Sequence, residues 1–175
     1  MENSIFSGFW TEPDRRRLAI ATNFQELADI AVTSILPRMA LVGRPIVEVC
    51  GPITTGGLGC KWKNLRRFQQ TILFLTEKGN LVFDPVLFEE RIGHLANDHH
   101  RRGVYCEEIL TVFYTQVFES GYISQAKFLP GWQSSHGATF ERMTLTSLGI
   151  PIEDLSIQDL ALIDRIGESA ESTSN

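Results

Sequence analysis

FLPGWQSSHGATFERMTLTSLGIPI, running from Phe128 to Ile152, decides the fold. It opens on an apolar run, passes through a glycine-containing turn, and continues into a segment of helical period that ends at a second short apolar run. A helix beginning at Ser134 or Ser135 puts Ala138, Glu141, Leu145 and Leu148 at i, i+3, i+7 and i+10, the spacing of a core-facing stripe. Glu141 then faces the sheet. A glutamate is almost never fully buried without a partner, and a site at the top of the preceding strand supplies a reason for one.

Outward from that stretch, Ala126 to Leu129 reads as a third strand and Ile150 to Ile152 as the start of a fourth. Upstream, Ile46 to Cys50 is short, apolar and rich in β-branched residues, bounded by Pro45 and Gly51, and reads as a buried strand. Leu81 to Phe83 is the second, ending in Asp84 and Pro85. Between them Leu65, Phe68, Ile72 and Leu75 share one helical face, with Asn64 as a cap and Gly79 where a left-handed C-terminal residue belongs. Further helices are expected from Thr22 or Asn23, which Pro37 either ends or bends, from 86 to 97, from Glu107 to Glu119 and from Ser156 to Ile166. Strands alternating with helices, joined by crossovers long enough for right-handed βαβ units, predict an α/β fold with a mostly parallel sheet of four to five strands covered on both faces. The expected organisation is an N-terminal extension over 1–21, one domain over 22–166 and a flexible polar tail over 167–175. The extension carries Phe6, Phe9 and Trp10, which suggests a segment that packs rather than a free tail.

Composition narrows the function. With 43% hydrophobic and 21% charged residues and a net charge of −5, the chain fits a globular domain and offers no broad basic face for a nucleic-acid polymer. Arg15 to Arg17 and Arg101 to Arg102 read as solvated patches. Cys50, Cys60 and Cys106 are odd in number and form no CxxC pair, so neither a disulfide framework nor a zinc ribbon is expected. No apolar run approaches membrane-spanning length and no leader pattern opens the chain, so a cytoplasmic location with no membrane partner is the expectation. NDHHRRG, from Asn97 to Gly103, sets Asp98 beside two histidines. Metal ligands on a helix recur at i, i+4, and no second ligand cluster is apparent, so a solvated loop is expected, with no metal and no cofactor.

In parallel sheets ligands bind beyond the carboxyl ends of the strands. Three segments lie there: GPITTGGLG from Gly51 to Gly59, the turn at Asp84, and the turn from Pro130 to Gly137. The first is either an ordinary turn or a loop whose N–H groups and hydroxyls hold an oxyanion. It matches neither a Walker A loop nor the dinucleotide fingerprint. Ser134, Ser135 and Gly137 open the helix of Glu141, and such a start either simply caps the helix or binds a phosphate or carboxylate.

CGPITTGG with Asn64 and Phe68 downstream, FDP at the second strand end, and LPGWQSSHGATFERMTLTSLGIPI together resemble the nucleoside 2-deoxyribosyltransferase-like superfamily. The nearest group carries an LPGWxSxGAxxE signature, and the likeness spans 46 to about 154. The resemblance implies a flavodoxin-like, Rossmann-like three-layer sandwich that cleaves or exchanges the N-glycosidic bond of a nucleoside or nucleoside 5′-monophosphate. It makes Glu141 the nucleophile that forms a glycosyl-enzyme intermediate, and Ser135 the contact to a 5′-phosphate. Gly137 is then the close-packed glycine between them. Gly51, Thr54, Thr55 and Gly56 line the sugar-phosphate side, and Trp132 stacks on a base or packs in the core. The superfamily commonly has an aspartate just before the third strand, where Ser124 stands here, so the acid must come from elsewhere, with Asp84 first and His136 next. Oligomers that complete the active site across subunits are also implied, as a homodimer or larger. A nucleotide-binding module of the same fold that does not cleave its ligand is the alternative.

Overall fold

The computed structural model describes residues 7–172, and the side chains of residues 8–165. In chain order, helices α1 (Glu12–Ile20) and α2 (Phe24–Ile30) lead through a π-helical stretch (Ala31–Ile35) into α3 (Leu36–Ala40). Strand β1 (Ile46–Cys50), helix α4 (Lys61–Glu77) and strand β2 (Leu81–Phe83) follow. A 3₁₀ turn (Pro85–Phe88), α5 (Glu89–Leu95), α6 (Asn97–Arg101), a second π stretch (Ile109–Tyr114) and α7 (Thr115–Glu119) come next. The chain then forms β3 (Ile123–Phe128), a 3₁₀ turn (Trp132–Ser134), α8 (His136–Ser147), β4 (Ile152–Asp154) and α9 (Ile157–Ser172). The four strands form one parallel sheet in the order β2-β1-β3-β4, an α/β architecture consistent with the flavodoxin/Rossmann-like class. Among the described residues no helix is long and apolar enough to cross a membrane.

Two compact units partition the chain. One takes residues up to Arg44 together with Asp84–Ile123; the other takes Pro45–Phe83 together with the chain from Ser124 onward. The first unit is helical. Its core is a run of aromatic rings, Trp10 to Phe88, Phe88 to Phe113, Phe113 to Tyr114 and Tyr114 to Phe118, with centroids 5.1, 5.0, 5.0 and 5.9 Å apart. Trp10 therefore does pack, as the aromatic N-terminal segment suggested; Phe6 lies outside the described residues.

Several sequence expectations are corrected here. The N-terminal segment holds a helix of its own, α1, opened by a capping box in which Thr11 and Asp14 satisfy each other's groups. Pro37 does not end the α2 helix: a π stretch, wider per turn, precedes it and the chain stays helical to Ala40. Asn97 to Arg101 is a short helix rather than a loop. Asn23 and the Ser156–Asp159 pair cap their helices as expected. The last helix runs to Ser172 rather than Ile166, and the side chains of the polar tail lie outside those described.

The second unit contains the sheet. Every residue of β1 is buried, including Glu48, as expected of a central parallel strand. β1 pairs with β2 from Ile46↔Leu81 to Glu48↔Phe83, and β3 with β4 from Ala126↔Ile152 to Phe128↔Asp154. The extended segments at 126–129 and 150–152 are thus shifted, to 123–128 and 152–154, by this register. Paired charges tie helices and strands at the surface: Arg67 to Asp164 at 2.9 Å joins α4 to α9, and Arg142 to Asp154 at 2.5 Å joins α8 to β4.

Candidate functional site

Strand order reverses between β1 and β3, because the chain leaves β1 toward β2 and later returns to the other side of β1. In this class ligands usually bind beyond the carboxyl ends of the strands at such a reversal, here the ends of β1 and β3. Two loops meet there. Leu129 N–H donates to the Cys50 carbonyl at 2.9 Å, so the loops leave the sheet side by side.

Hydrogen bonds clip the glycine loop to the turn before α8. Gly57 N–H donates to Ser134 Oγ at 2.9 Å, Ser134 Oγ donates to the Gly131 carbonyl at 2.7 Å, and His136 N–H donates to Thr55 Oγ1 at 3.2 Å. Gly56 takes φ +70°, and a Cβ there would sit 2.2 Å from the Ser134 carbonyl oxygen, so no side chain is compatible with this closure. A Cβ on Gly51 would lie 2.8 Å from the Leu129 side chain. The glycines of GPITTGG thus serve the loop's own close packing.

Asn64 organises the loop from within. The helix starts at Lys61 after Cys60, so Asn64 is not its cap, contrary to expectation. Buried at the first turn of α4, it accepts from Leu58 N–H at 2.7 Å and donates to the carbonyls of Ile53 at 3.2 Å and Gly56 at 3.0 Å. One amide side chain thereby holds three points of the loop. Thr54 stands exposed at its rim.

α8 carries the carboxylate. Its N-cap is Ser135, extended at φ −106°, whose hydroxyl accepts from Ala138 N–H at 3.3 Å. From that start Ala138, Glu141 and Leu145 fall on the buried face, as their spacing predicts. Leu148 does not: it is the C-cap residue, beyond the last helical turn, and 41% exposed. Glu141 is 8% exposed, and its Oε2 is buried without a hydrogen bond. Burial drives its pKa up to about 8, against a hydrogen bond from the Cys50 thiol that favours the ionised form. Cys50 ends β1. Its thiol is pushed well above the ordinary range, first by burial and then by the Glu141 and Glu48 carboxyls. A neutral carboxyl and a neutral thiol thus stand together at the strand end.

The structure brings Gly51, Thr55, Gly56, Asn64, Ser134 and Ser135 into one clipped loop pair, and joins Glu141 to it through Cys50. Gly137, half-buried, is in the first turn of α8. Trp132 stands apart. Its ring meets Phe128 edge-on at 5.7 Å and carries the Arg142 guanidinium 4.4 Å above it. It also lines an open groove of about 400 Å³ with Thr139, Arg142, Met143 and Thr146, on the face of α8 turned away from Glu141. Asp84 directly follows β2, belongs to the helical unit, and accepts from Val86 N–H at 3.0 Å. Burial raises its pKa to about 6. Ser124 lies at the amino end of β3, four residues and so about 13 Å of strand from Phe128. An acid at that position would be at the wrong end of the strand, and the serine there says nothing about the site.

Cys50 and Trp62 are the residues that sequence reading passed over. The cysteine count excludes a disulfide framework and assigns Cys50 no role, yet its position as the last residue before Gly51 already places it at the strand end. Trp62, 62% exposed, follows the glycine loop directly at the start of α4. A large aromatic beside a glycine loop was the available signal. Comparison with family models, curated proteins and solved structures gave no match for this chain.

Proposed function

We propose that the chain cleaves or transfers the N-glycosidic bond of a nucleoside or nucleoside 5′-monophosphate at Glu141. The observation that carries this reading is a carboxyl with an unsatisfied buried oxygen beside the end of β1, at the strand-order reversal. Such an oxygen has a ligand-shaped use: attack on the anomeric carbon, where a carboxylate also stabilises the oxocarbenium-like transition state. In the first step a bond forms from a Glu141 oxygen to the anomeric carbon while the carbon–nitrogen bond breaks and the base leaves, taking up a proton. Water or a second base then displaces the carboxylate. Glu141 must be ionised to attack, so the rate with free enzyme rises with pH toward about 8. The Cys50 hydrogen bond favours the charged form. Thr54, exposed on the glycine loop, and Ser135, the N-cap of α8, are the hydroxyls for a 5′-phosphate, and Trp62 offers an exposed face for a base.

Purified protein incubated with a panel of nucleosides and 5′-monophosphates is expected to release free base, resolved by chromatography, and Glu141→Gln to release none. Undiminished release from that variant removes Glu141 from the chemistry. A second reading rests on the same proton. A neutral Glu141 both donates and accepts hydrogen bonds, as a base-reading group in a non-cleaving nucleotide-binding module would. A ligand that raises the melting temperature and stays intact through long incubation selects that reading; turnover rejects it.

A further inference from the structure

A second cluster of chemically capable side chains lies wholly within the helical unit. A ring nitrogen of His99, the Cys106 sulfur and a Glu108 carboxylate oxygen are all within 4.8 Å of one another. From the sequence the histidines of NDHHRRG lacked a second set of ligands, because nothing local announces that Cys106 and Glu108 fold back onto them. The backbone does this through one turn. Val104 N–H donates to the His99 carbonyl at 3.0 Å and Gly103 N–H to the His100 carbonyl at 3.0 Å, with Gly103 at φ +67°. This paired closure is a Schellman motif, which reverses the chain at the end of α6. Ile109 N–H then bonds the Cys106 carbonyl at 3.2 Å, fixing Cys106 and Glu108 at the entrance of the next helix.

We propose that His99, Cys106 and Glu108 form a binding site for a transition-metal dication of the zinc type. Three observations support it. The donor set of one imidazole, one thiolate and one carboxylate suits a borderline-soft ion and is poor for magnesium or calcium, which take oxygen ligands. His99 Nδ1 is buried and makes no hydrogen bond, a cost that coordination through this nitrogen would remove. Cys106 is fully buried while Glu108 is exposed, so the sulfur is held in place and the ion has an entry path from solvent. The Cys106 sulfur already lies 3.5 Å from Glu108 Oε2.

Without an ion the Cys106 thiol is held above its ordinary pKa, first by burial and then by its contact with the Glu108 carboxyl. A dication reverses that electrostatics: it takes the thiolate, and one proton passes to solvent for each ion bound. Three protein ligands leave a fourth tetrahedral position for water, the arrangement of open rather than closed zinc sites.

The test uses the full chain, freed of metal with a chelator and titrated with Zn²⁺ by calorimetry and with Co²⁺ by absorption. One Zn²⁺ per chain, and a thiolate-to-cobalt charge-transfer band, are expected. Cys106→Ser should abolish the band and weaken Zn²⁺ by at least about 100-fold, the upper end of what outer-shell changes alone cost. His99→Ala and Glu108→Gln should weaken it as well, and Cys60→Ser should not. Glu108 is exposed, so its variant keeps the test valid should the buried Cys106 variant fail to fold. Absence of the band in the unaltered chain, its persistence in Cys106→Ser, or unchanged Zn²⁺ affinity in both His99→Ala and Glu108→Gln overturns the proposal.

Discussion

Replacing Glu141 with glutamine tests the environment of the candidate site without requiring a substrate. Burial raises the folded-state pKa from the ordinary 4.5 to about 8, a span of about 3.5 pH units. Between those values the folded protein keeps the proton and the unfolded chain has lost it, so unfolding releases a proton and stability falls as pH rises. The contribution is fully present below about pH 4.5 and is lost as pH climbs through about 8. At about 1.4 kcal/mol per pH unit, the loss across the window is about 5 kcal/mol, a large part of the stability of an ordinary domain. Glutamine has nearly the same shape and does not titrate. The stability of Glu141→Gln minus that of the unaltered chain should therefore increase by about 3.5 kcal/mol from about pH 5 to about pH 8, and approach about 5 kcal/mol across the whole window. Asp84, raised by burial to about 6, titrates within the same window but does so in both proteins and cancels in the difference. Cys50 stays protonated throughout, because burial and its carboxylate neighbours hold its pKa well above the ordinary range. Urea denaturation followed by circular dichroism at several pH values gives the difference directly. A difference that does not change with pH would mean that Glu141 is ionised and hydrated in the fold, and the reasoning from burial to site would fail.

Other substitutions probe the loop and the helical unit. Asn64→Ala removes three hydrogen bonds from the glycine loop and should destabilise the protein by about 2–4 kcal/mol, with faster amide exchange over 53–58 as the sharper readout. Gly56→Ala forces a Cβ to 2.2 Å from the Ser134 carbonyl at a positive φ; it should cost at least about 1–2 kcal/mol in thermal or urea denaturation and open the loop to limited proteolysis, whereas Gly59→Ala meets no atom and should show only the backbone part. Asp14 is pushed up by burial but held below the usual carboxylate range overall by Thr11 and Arg38, so it stabilises above its unfolded pKa and that contribution is lost as pH falls through the folded value. Asp14→Asn should accordingly flatten the acid limb of the stability profile and leave the limb above neutral pH unchanged.

Much of the second unit was legible in the residues themselves. The stripe Ala138, Glu141, Leu145 needs only helical geometry, and the capping serine at 135 sets its phase. Gly79 at φ +86° closes α4 for the reason a sequence can state, since only glycine takes that conformation without cost. Strand-length apolar runs separated by helices led to the parallel sheet for the same local reason. Other features were out of reach. That the glycines of GPITTGG pack against Ser134, Asn64 and Leu129 depends on residues distant in sequence, and only the packing distances show it.

Glu141 shows where the boundary falls. Local periodicity determined that it points inward, because side-chain direction along a helix follows from 3.6 residues per turn. That Cys50 lies beside it, that one of its oxygens has no hydrogen bond, and that Ser124 belongs to the opposite end of β3 were decided by strand order and register. The meeting of His99 with Cys106 and Glu108 was likewise decided by a reversal at Gly103. Local propensity is written in neighbouring residues; the approach of distant side chains, and the pKa that burial imposes on them, exists only once the chain has packed.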